Sequence, residues 1–507
     1  MLTRRHLLQG TALGLGLLTL PGGLSACAKT GVVPPAPGGP QGFGVDDAAL
    51  RRIFTELGSR GATFADAFFQ YTRSNSLTLE DGIISRASTT VDRGVGLRVV
   101  IGDQTGFAFT EDLSEEAMLA AARTAAAIAS GAQVAPPDAF ARVAPTAGLY
   151  SVAVPWSAVG VDQKLPVVSK VDRLIRGLDP LVTKVSVTLV DEEQEVLVAN
   201  LSGRILHETR PQTRLMASVT AQKNGVTQSN GANLAGRKGL EFYSDEALAQ
   251  LAKDAVDRTM ILFEAKRPPA GEMPVVLAAG ASGILLHEAI GHGLEADYNR
   301  KGASIYSTMV GQKIGPDFAT IVDSGVIPHE RGAIAFDDEG NPTERTVLVE
   351  GGVLRGYLHD QISARHYGVA ATGSGRRQSF RHPPLPRMRC TYMENGPHTR
   401  DEIIAAVPNG IIAETFTNGQ VAIGAGDYTF YIKNGWLIEG GRITAPIKDV
   451  NIIGNGPASL RAVTMAANDG HLDTGGWTCG KDGQSVPVSQ GLPTVLVSKM
   501  TVGGTDA

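Results

Sequence analysis

Ala281-Ser-Gly-Ile-Leu-Leu-His287-Glu288-Ala-Ile-Gly291-His292-Gly293-Leu-Glu295-Ala-Asp297 is a largely apolar, helix-like run carrying two imidazoles with a carboxylate directly after the first, and it follows the strand-like Met273-Pro-Val-Val-Leu-Ala. Neutral imidazole is the commonest transition-metal ligand, and a Glu directly after the first His is placed to deprotonate a metal-activated water. In the familiar zinc helix the two histidines are four residues apart, whereas His287 and His292 are five apart. At ~100° per residue, five steps separate two side chains by roughly 140°, against about 40° for four. A regular helix therefore cannot aim both rings at one ion. One extra residue taken up as a π-type bulge restores the register, and Gly291 beside the second His best tolerates such a distortion.

With 507 residues, 43% hydrophobic and 19% charged, the chain has the composition of a globular protein with room for two or three domains. A net charge of -5 offers no electrostatic case for nucleic acid. The 61 Gly and 27 Pro, with only 6% aromatic residues, predict many turns and a β-rich body.

Residues 1–27 read as a targeting segment. Arg4 and Arg5 precede a mildly apolar run that is barely the ~20 residues of a membrane span, which resembles a twin-arginine export signal. Leu24-Ser-Ala-Cys27 resembles a lipobox, with cleavage before Cys27 and lipid on its sulfur. The expectation is a periplasmic, lipid-anchored protein, with Ala28 pointing to the outer membrane. Residues 28–44 are rich in Pro and Gly and predict a tether of roughly 20 to 30 Å.

Beyond the tether the predicted class is α+β. Asp46-Asp47 caps a helix whose Leu50, Ile53, Phe54 and Leu57 share one face. Residues 63–110 alternate polar and apolar around turns at Glu80-Asp-Gly82 and Gly102-Asp-Gln-Thr-Gly106, which predicts antiparallel strands. A helix over 114–130 follows. Helix, strands and helix then recur over 161–177, 182–234 and 244–266, with a turn at Lys223-Asn-Gly225. Layers of antiparallel strands flanked by helices are thus expected over 45–266, in two sub-units of about 45–135 and 161–266. Arg267-Pro268-Pro269-Ala-Gly271 punctuates the chain, and 272–507 is expected to be an antiparallel β-rich domain carrying the metal-binding helix. There a hairpin is predicted around Glu350-Gly-Gly352, a short helix over 399–406, and a two-residue hairpin at Asn434-Gly435.

A catalytic zinc site takes three protein ligands plus water, so a third ligand lies outside the helix, with Glu or Asp the general expectation. The His287 run, Gly293-Leu-Glu-Ala-Asp-Tyr-Asn-Arg300, Gly375-Arg-Arg-Gln-Ser-Phe380, Pro386-Arg-Met-Arg389 and Thr478-Cys479-Gly-Lys-Asp-Gly-Gln484 together resemble the TldD/PmbA family of metallopeptidases. That resemblance implies Cys479 as third ligand beside His287 and His292, and Glu288 as general base. Zinc suits such a donor set, with iron the alternative. The competing fate of Cys479 is a disulfide with Cys390.

Asp482 and Gln484 beside Cys479, and Arg376, Arg377 and Gln378 in the Gly-Arg-Arg-Gln stretch, are candidate substrate-binding residues. Glu295 and Asp297 are candidates to orient a His ring, and His359 and His366 to donate to a transition state. The resemblance further implies small or unfolded peptides as substrates, and a homodimer or a pair with a paralogue lacking the metal motif. This chain keeps the motif and so looks like the active subunit. Two other readings compete. His-Glu-x-x-Gly-His also occurs in a dipeptidyl peptidase type whose third ligand is a Glu, and a lipid-anchored scaffold could hold a structural metal.

Overall fold

The computed structural model describes residues 40–146 and 148–504. The predicted export signal, Cys27 and residues 28–39 of the predicted tether lie outside the described residues, while its last stretch is not tether: Pro40–Phe43 is a 3-10 turn and Phe43 is buried in the core of the first half. Among the described residues no helix is long and apolar enough to cross a membrane.

In the first half, α1 (Asp47–Leu57) starts where the Asp46 side chain accepts from the Ala49 amide, and it buries Leu50, Ile53, Phe54 and Leu57. Strands β1 (Phe64–Glu80), β2 (Ile83–Ile101) and β3 (Gln104–Thr110) lead to α2 (Glu115–Ala126). The short β4 (Ala141–Val143) precedes α3 (Val161–Leu178), β5 (Val182–Asn200), β6 (Arg204–Lys223), β7 (Val226–Gly236) and α4 (Asp245–Met260). Asp81 and Asn224, each followed by Gly, take positive φ at the two-residue β1–β2 and β6–β7 hairpins, as the turn chemistry predicts.

All seven strands form one sheet of order β3-β2-β1-β5-β6-β4, with β7 also on β6. The stretches read as two sub-units meet in it, because β1 and β5 pair antiparallel from Asp66↔Asn200 to Glu80↔Ser186. Side chains alternate across the sheet. One face packs Val185, Val187 and Leu189 into the core that also holds Val168, Val171, Leu251 and Ala255 of α3 and α4. The other face turns Val196 and Val198 toward Phe336 and Phe380 of the second half.

The second half contains two larger sheets, one of seven strands and one of six. Pairing is mostly antiparallel, but Ile411–Ala413 runs parallel to Val275–Leu277, and Cys390–Tyr392 parallel to Ser489–Gly491. These partners are far apart in sequence, so no tight turn forces them antiparallel. In the seven-stranded sheet Asn409–Ala422 pairs with both Gly271–Leu277 and Asp427–Glu439, and the latter two are joined through Val450–Asn455 and Val495–Gly503, which closes a ring. The hairpin at Glu350 and the helix Arg400–Ala405, capped by Thr399, form as predicted.

Asn434-Gly435 is not a turn. The strand Asp427–Glu439 runs through it, with Gly435 opposite Ala413 and Asn434 opposite Thr415 across a register shift. A Cβ on Gly435 would meet the Ile412 carbonyl at 2.4 Å, and the Asn434 side chain bonds Thr415, Asn230 and the Arg258 carbonyl. Tertiary contacts thus supply the partners that a local turn would have provided.

The two halves are locked by buried ion pairs. Arg98 of β2 bonds Asp66 at 2.6 Å and Glu339 at 2.7 Å, Arg210 of β6 bonds Asp338 at 2.7 Å, and Arg377 reaches Asp66 at 2.8 Å. Charges this deep persist only when paired and hydrogen-bonded, so the network fixes how the sheet faces the second half.

Candidate metal centre

The backbone over Leu286–Gly291 is a π-helix, followed by a 3-10 turn over His292–Leu294. The widened turn is the bulge that the five-residue spacing requires. It brings the His287 and His292 rings to 4.9 Å between centroids, nearly perpendicular at 87°. Gly291 has ordinary helical angles, φ -59 and ψ -54, so its role here is not backbone freedom. It makes room: a Cβ there would lie 2.0 Å from the sulfur of buried Met388. The irregular backbone finds its partners in side chains, with Tyr306 Oη donating to the Ala289 carbonyl at 2.9 Å and Asn299 and Ser304 donating to that of Gly293.

Cys479 enters from the hairpin of Thr478–Lys481 and Gln484–Pro487. Its sulfur lies 3.4 Å from Nε2 of His292. His287, His292 and Cys479 are all buried, and each offers a ligand atom within 4.8 Å of the others. Cys390 and Cys479 are both free thiols, so the competing disulfide is absent. Burial opposes ionisation of Cys479, but the imidazoles of His287 and His292 overcome it and hold the thiol well below its usual range. A buried thiolate beside two imidazoles, with the His287 Nδ1 left without a partner, fits a transition-metal ion.

Around this trio stands a charged shell. His292 Nδ1 is 3.0 Å from Glu295 Oε2, and Glu295 is fully buried. Burial raises the Glu295 pKa, yet Lys481 and then His292 bring it down to about 2. Lys481 Nζ lies 3.1 Å from Glu295 and 2.7 Å from Asp297. Arg387 donates to the Cys479 carbonyl at 2.6 Å and sits 3.9 Å from Glu295. Lys481 and Arg387 therefore couple the cysteine hairpin to the histidine turn. Sequence reading missed both, although Lys481 lies two residues past Cys479 and so on the same strand face.

His287 and Glu288 line a cleft of about 1350 Å³ whose opposite wall is the polar sheet face, with Ser186, Thr188, Met216, Ser218, Gly231 and Asn233. Nothing local in 182–234 marks that wall, since it becomes a wall only when the halves dock.

The other candidates fall elsewhere. Arg376 is buried and donates to the carbonyls of Met388 and Pro487, Arg377 bonds Asp66 and the Asp338 carbonyl, and Gln378 accepts from the Ser485 amide. Gln484 is buried, donating to the Pro383 carbonyl and accepting from the Gln378 amide. Asp482 occupies an exposed turn 3.4 Å from Tyr298 Oη. None of these five lines the cleft. His359 is buried among Tyr357 and Tyr367, and His366 is exposed.

Three family profiles match in order: the PmbA/TldA metallopeptidase domain 1 over 65–129, the central domain over 154–263 and the C-terminal domain over 270–504. A metalloprotease TldD homolog of Haemophilus influenzae is 40% identical over 90% of this chain and 96% of its own. A zinc metalloprotease TldD homolog of Saccharolobus solfataricus is 28% identical over 88% of this chain and 97% of its own. TldE of Thermococcus kodakarensis shares the fold, with a TM-score of 0.70 at 18% identity over 90% of this chain and 99% of that one. The widened turn that carries His287 and His292, the converging cysteine hairpin and the match with these relatives over about nine-tenths of the chain place it in the PmbA/TldD family of metallopeptidases.

Proposed function

We propose that the chain hydrolyses small or unfolded peptides in extended conformation, with His287, His292 and Cys479 holding the ion and Glu288 acting as general base. The observation that carries this reading is the convergence of three buried ligand groups beside a cleft that Glu288 also lines. The imidazole and thiolate set favours zinc, with iron the alternative. Among the described residues three such groups converge rather than four, which suits a catalytic site with an open position better than a closed structural one. The nearby carboxylate, Glu295, engages Nδ1 of His292 on the side away from Cys479, unlike the Glu ligand of a dipeptidyl peptidase type.

When bound, a zinc ion supplies Lewis acidity that polarises a scissile carbonyl and draws the pKa of a water toward ~7. Glu288 takes the proton of the attacking water and returns it to the departing amine. Two strand edges serve the substrate. β7 pairs on one side only, as does Asn409–Ala422 beyond Ala413, and both line the cleft. An extended peptide adding to such an edge gains main-chain hydrogen bonds with little dependence on sequence, whereas a folded protein cannot enter.

A homodimer, or a pair with a metal-free paralogue, would wall the cleft further, and the amino-terminal run would carry the enzyme out of the cytoplasm to a lipid anchor at Cys27. The test is digestion of an unstructured peptide mixture by the protein and by Glu288→Gln, read by mass spectrometry alongside bound metal. Cleavage that vanishes in the variant with metal retained supports the reading. Undiminished cleavage by the variant refutes the role of Glu288, and silence in both with metal retained refutes peptidase activity of the chain alone.

A further inference from the structure

We propose that Arg214, backed by Arg331, is a subsite for a carboxylate of the peptide substrate, on the sheet wall of the cleft. This rests on the peptidase reading above.

Arg214 projects from β6 into the cleft. Its guanidinium makes one hydrogen bond, from Nη2 to Asn233 Oδ1 at 3.2 Å, and its Nε is buried without a partner. Burial alone pushes its pKa down, and no carboxylate stands near enough to offset it. The other arginines of the cleft differ: Arg258 faces Asp254 at 4.0 Å, and Arg400 pairs with Glu414. Deeper in the protein, Arg98, Arg210 and Arg389 each hold a carboxylate. Among the arginines that line the cleft, Arg214 alone faces no carboxylate within 4 Å.

Arg331 is the second observation. It is 9% exposed, its Nε has no partner, and it joins no ion pair among the described residues. Burial first, then Arg214 and Arg237, bring its pKa down to about 10, with Glu192 offsetting only in part. Arg331 does not itself line the cleft; its positive charge stands behind Arg214. An incoming carboxylate would relieve both and would accept paired N–H donors from a planar fork. Two of the cleft's acids near that loop are already engaged: Asp469 accepts from Thr494, and Asp473 from the Trp477 ring nitrogen.

Position sets which carboxylate is read. A Cβ on Gly476 would lie 2.9 Å from Cδ and Nε of Arg214, so this side chain packs under the loop leading to Cys479. Gly476 precedes Cys479 by three residues, a span of at most roughly 10 Å of extended chain. Arg214 therefore reaches a carboxylate within about three residues of the scissile bond. Either the carboxy terminus of a short leaving fragment or an Asp or Glu side chain at that distance supplies it.

The experiment uses metal-loaded Glu288→Gln protein and three labelled peptides: a free acid, its carboxy-terminal amide, and that amide with one Glu three residues from the end. Affinities are read by fluorescence anisotropy. The free acid, the Glu peptide or both are expected to bind at least ~10-fold tighter than the neutral amide, and which of them does so identifies the source of the carboxylate. Adding Arg214→Met should erase the preference, and Arg214→Lys should restore part of it. Arg331→Met provides an independent second variant, with thermal unfolding reporting the integrity of each. Equal affinities in the parent protein, a preference surviving Arg214→Met, or no binding of the free acid at millimolar concentration would overturn the subsite. A carboxylate preference in a protein whose wild type cleaves nothing would sink the peptidase reading and leave the subsite standing.

Discussion

Nδ1 of His292 stands 3.0 Å from Oε2 of Glu295, while Nε2 of the same ring faces the Cys479 sulfur at 3.4 Å. The carboxylate fixes which nitrogen is free for an ion and how the ring is turned, and Lys481 fixes the carboxylate.

Removing that support should loosen the metal without removing a ligand. Glu295→Gln is expected to weaken metal retention by roughly 10- to 100-fold, the usual cost of losing such a partner. Competition with a chromophoric chelator measures it, and unchanged retention would show that ring packing alone orients His292.

The thiolate assignment can be read by spectroscopy. Cobalt(II) in place of the native ion should give a near-ultraviolet sulfur charge-transfer band that Cys479→Ala abolishes and Cys390→Ala leaves intact. Cys390 sits in a strand with its thiol pushed up by burial, which leaves it protonated and a poor ligand. A band that survives Cys479→Ala would remove it from the donor set.

Acid sensitivity should trace in part to His359. Burial lowers its pKa to about 4, and its Nδ1 has no partner. The unfolded chain, with a His pKa near 6.5, then binds more protons between those values, so stability falls as pH drops from about 6.5 to 4 and is complete above that window. The contribution is at most about 3 kcal/mol. His359→Phe keeps the packing on Tyr357 and Tyr367 while removing the titration, so it should shrink the loss of stability in denaturant between pH 7 and 4.5.

Gly435→Ala should destabilise the ring of strands, because its Cβ would meet the Ile412 carbonyl at 2.4 Å and backbone must move. A loss of about 1–3 kcal/mol is expected. A neutral result in thermal unfolding would mean that the bulge relaxes freely.

The sequence alone determined most of the local elements and the irregular backbone of the turn that carries His287 and His292. Five-residue spacing within an apolar run demanded a widened helix, and the Leu286–Gly291 π-turn is that helix. Asp46 marked a helix start, and Ser114, Ser244 and Thr399 stand where the other helices were expected to begin, each capping an amide of its own first turn. The family motif singled out Cys479 without showing how it approaches the histidines. Asn434-Gly435 misled because turn chemistry is a local preference, and here strand pairing and the contacts of Asn434 outweigh it. Arg376 and Arg377 looked free for substrate, but whether a guanidinium meets solvent or a buried carbonyl depends on residues far off in sequence. Only the tertiary structure decided the clamp of Lys481 on Glu295, the cleft wall drawn from β6 and β7, and the isolation of Arg214. Each of these joins residues far apart along the chain, and local periodicity carries no information about such encounters.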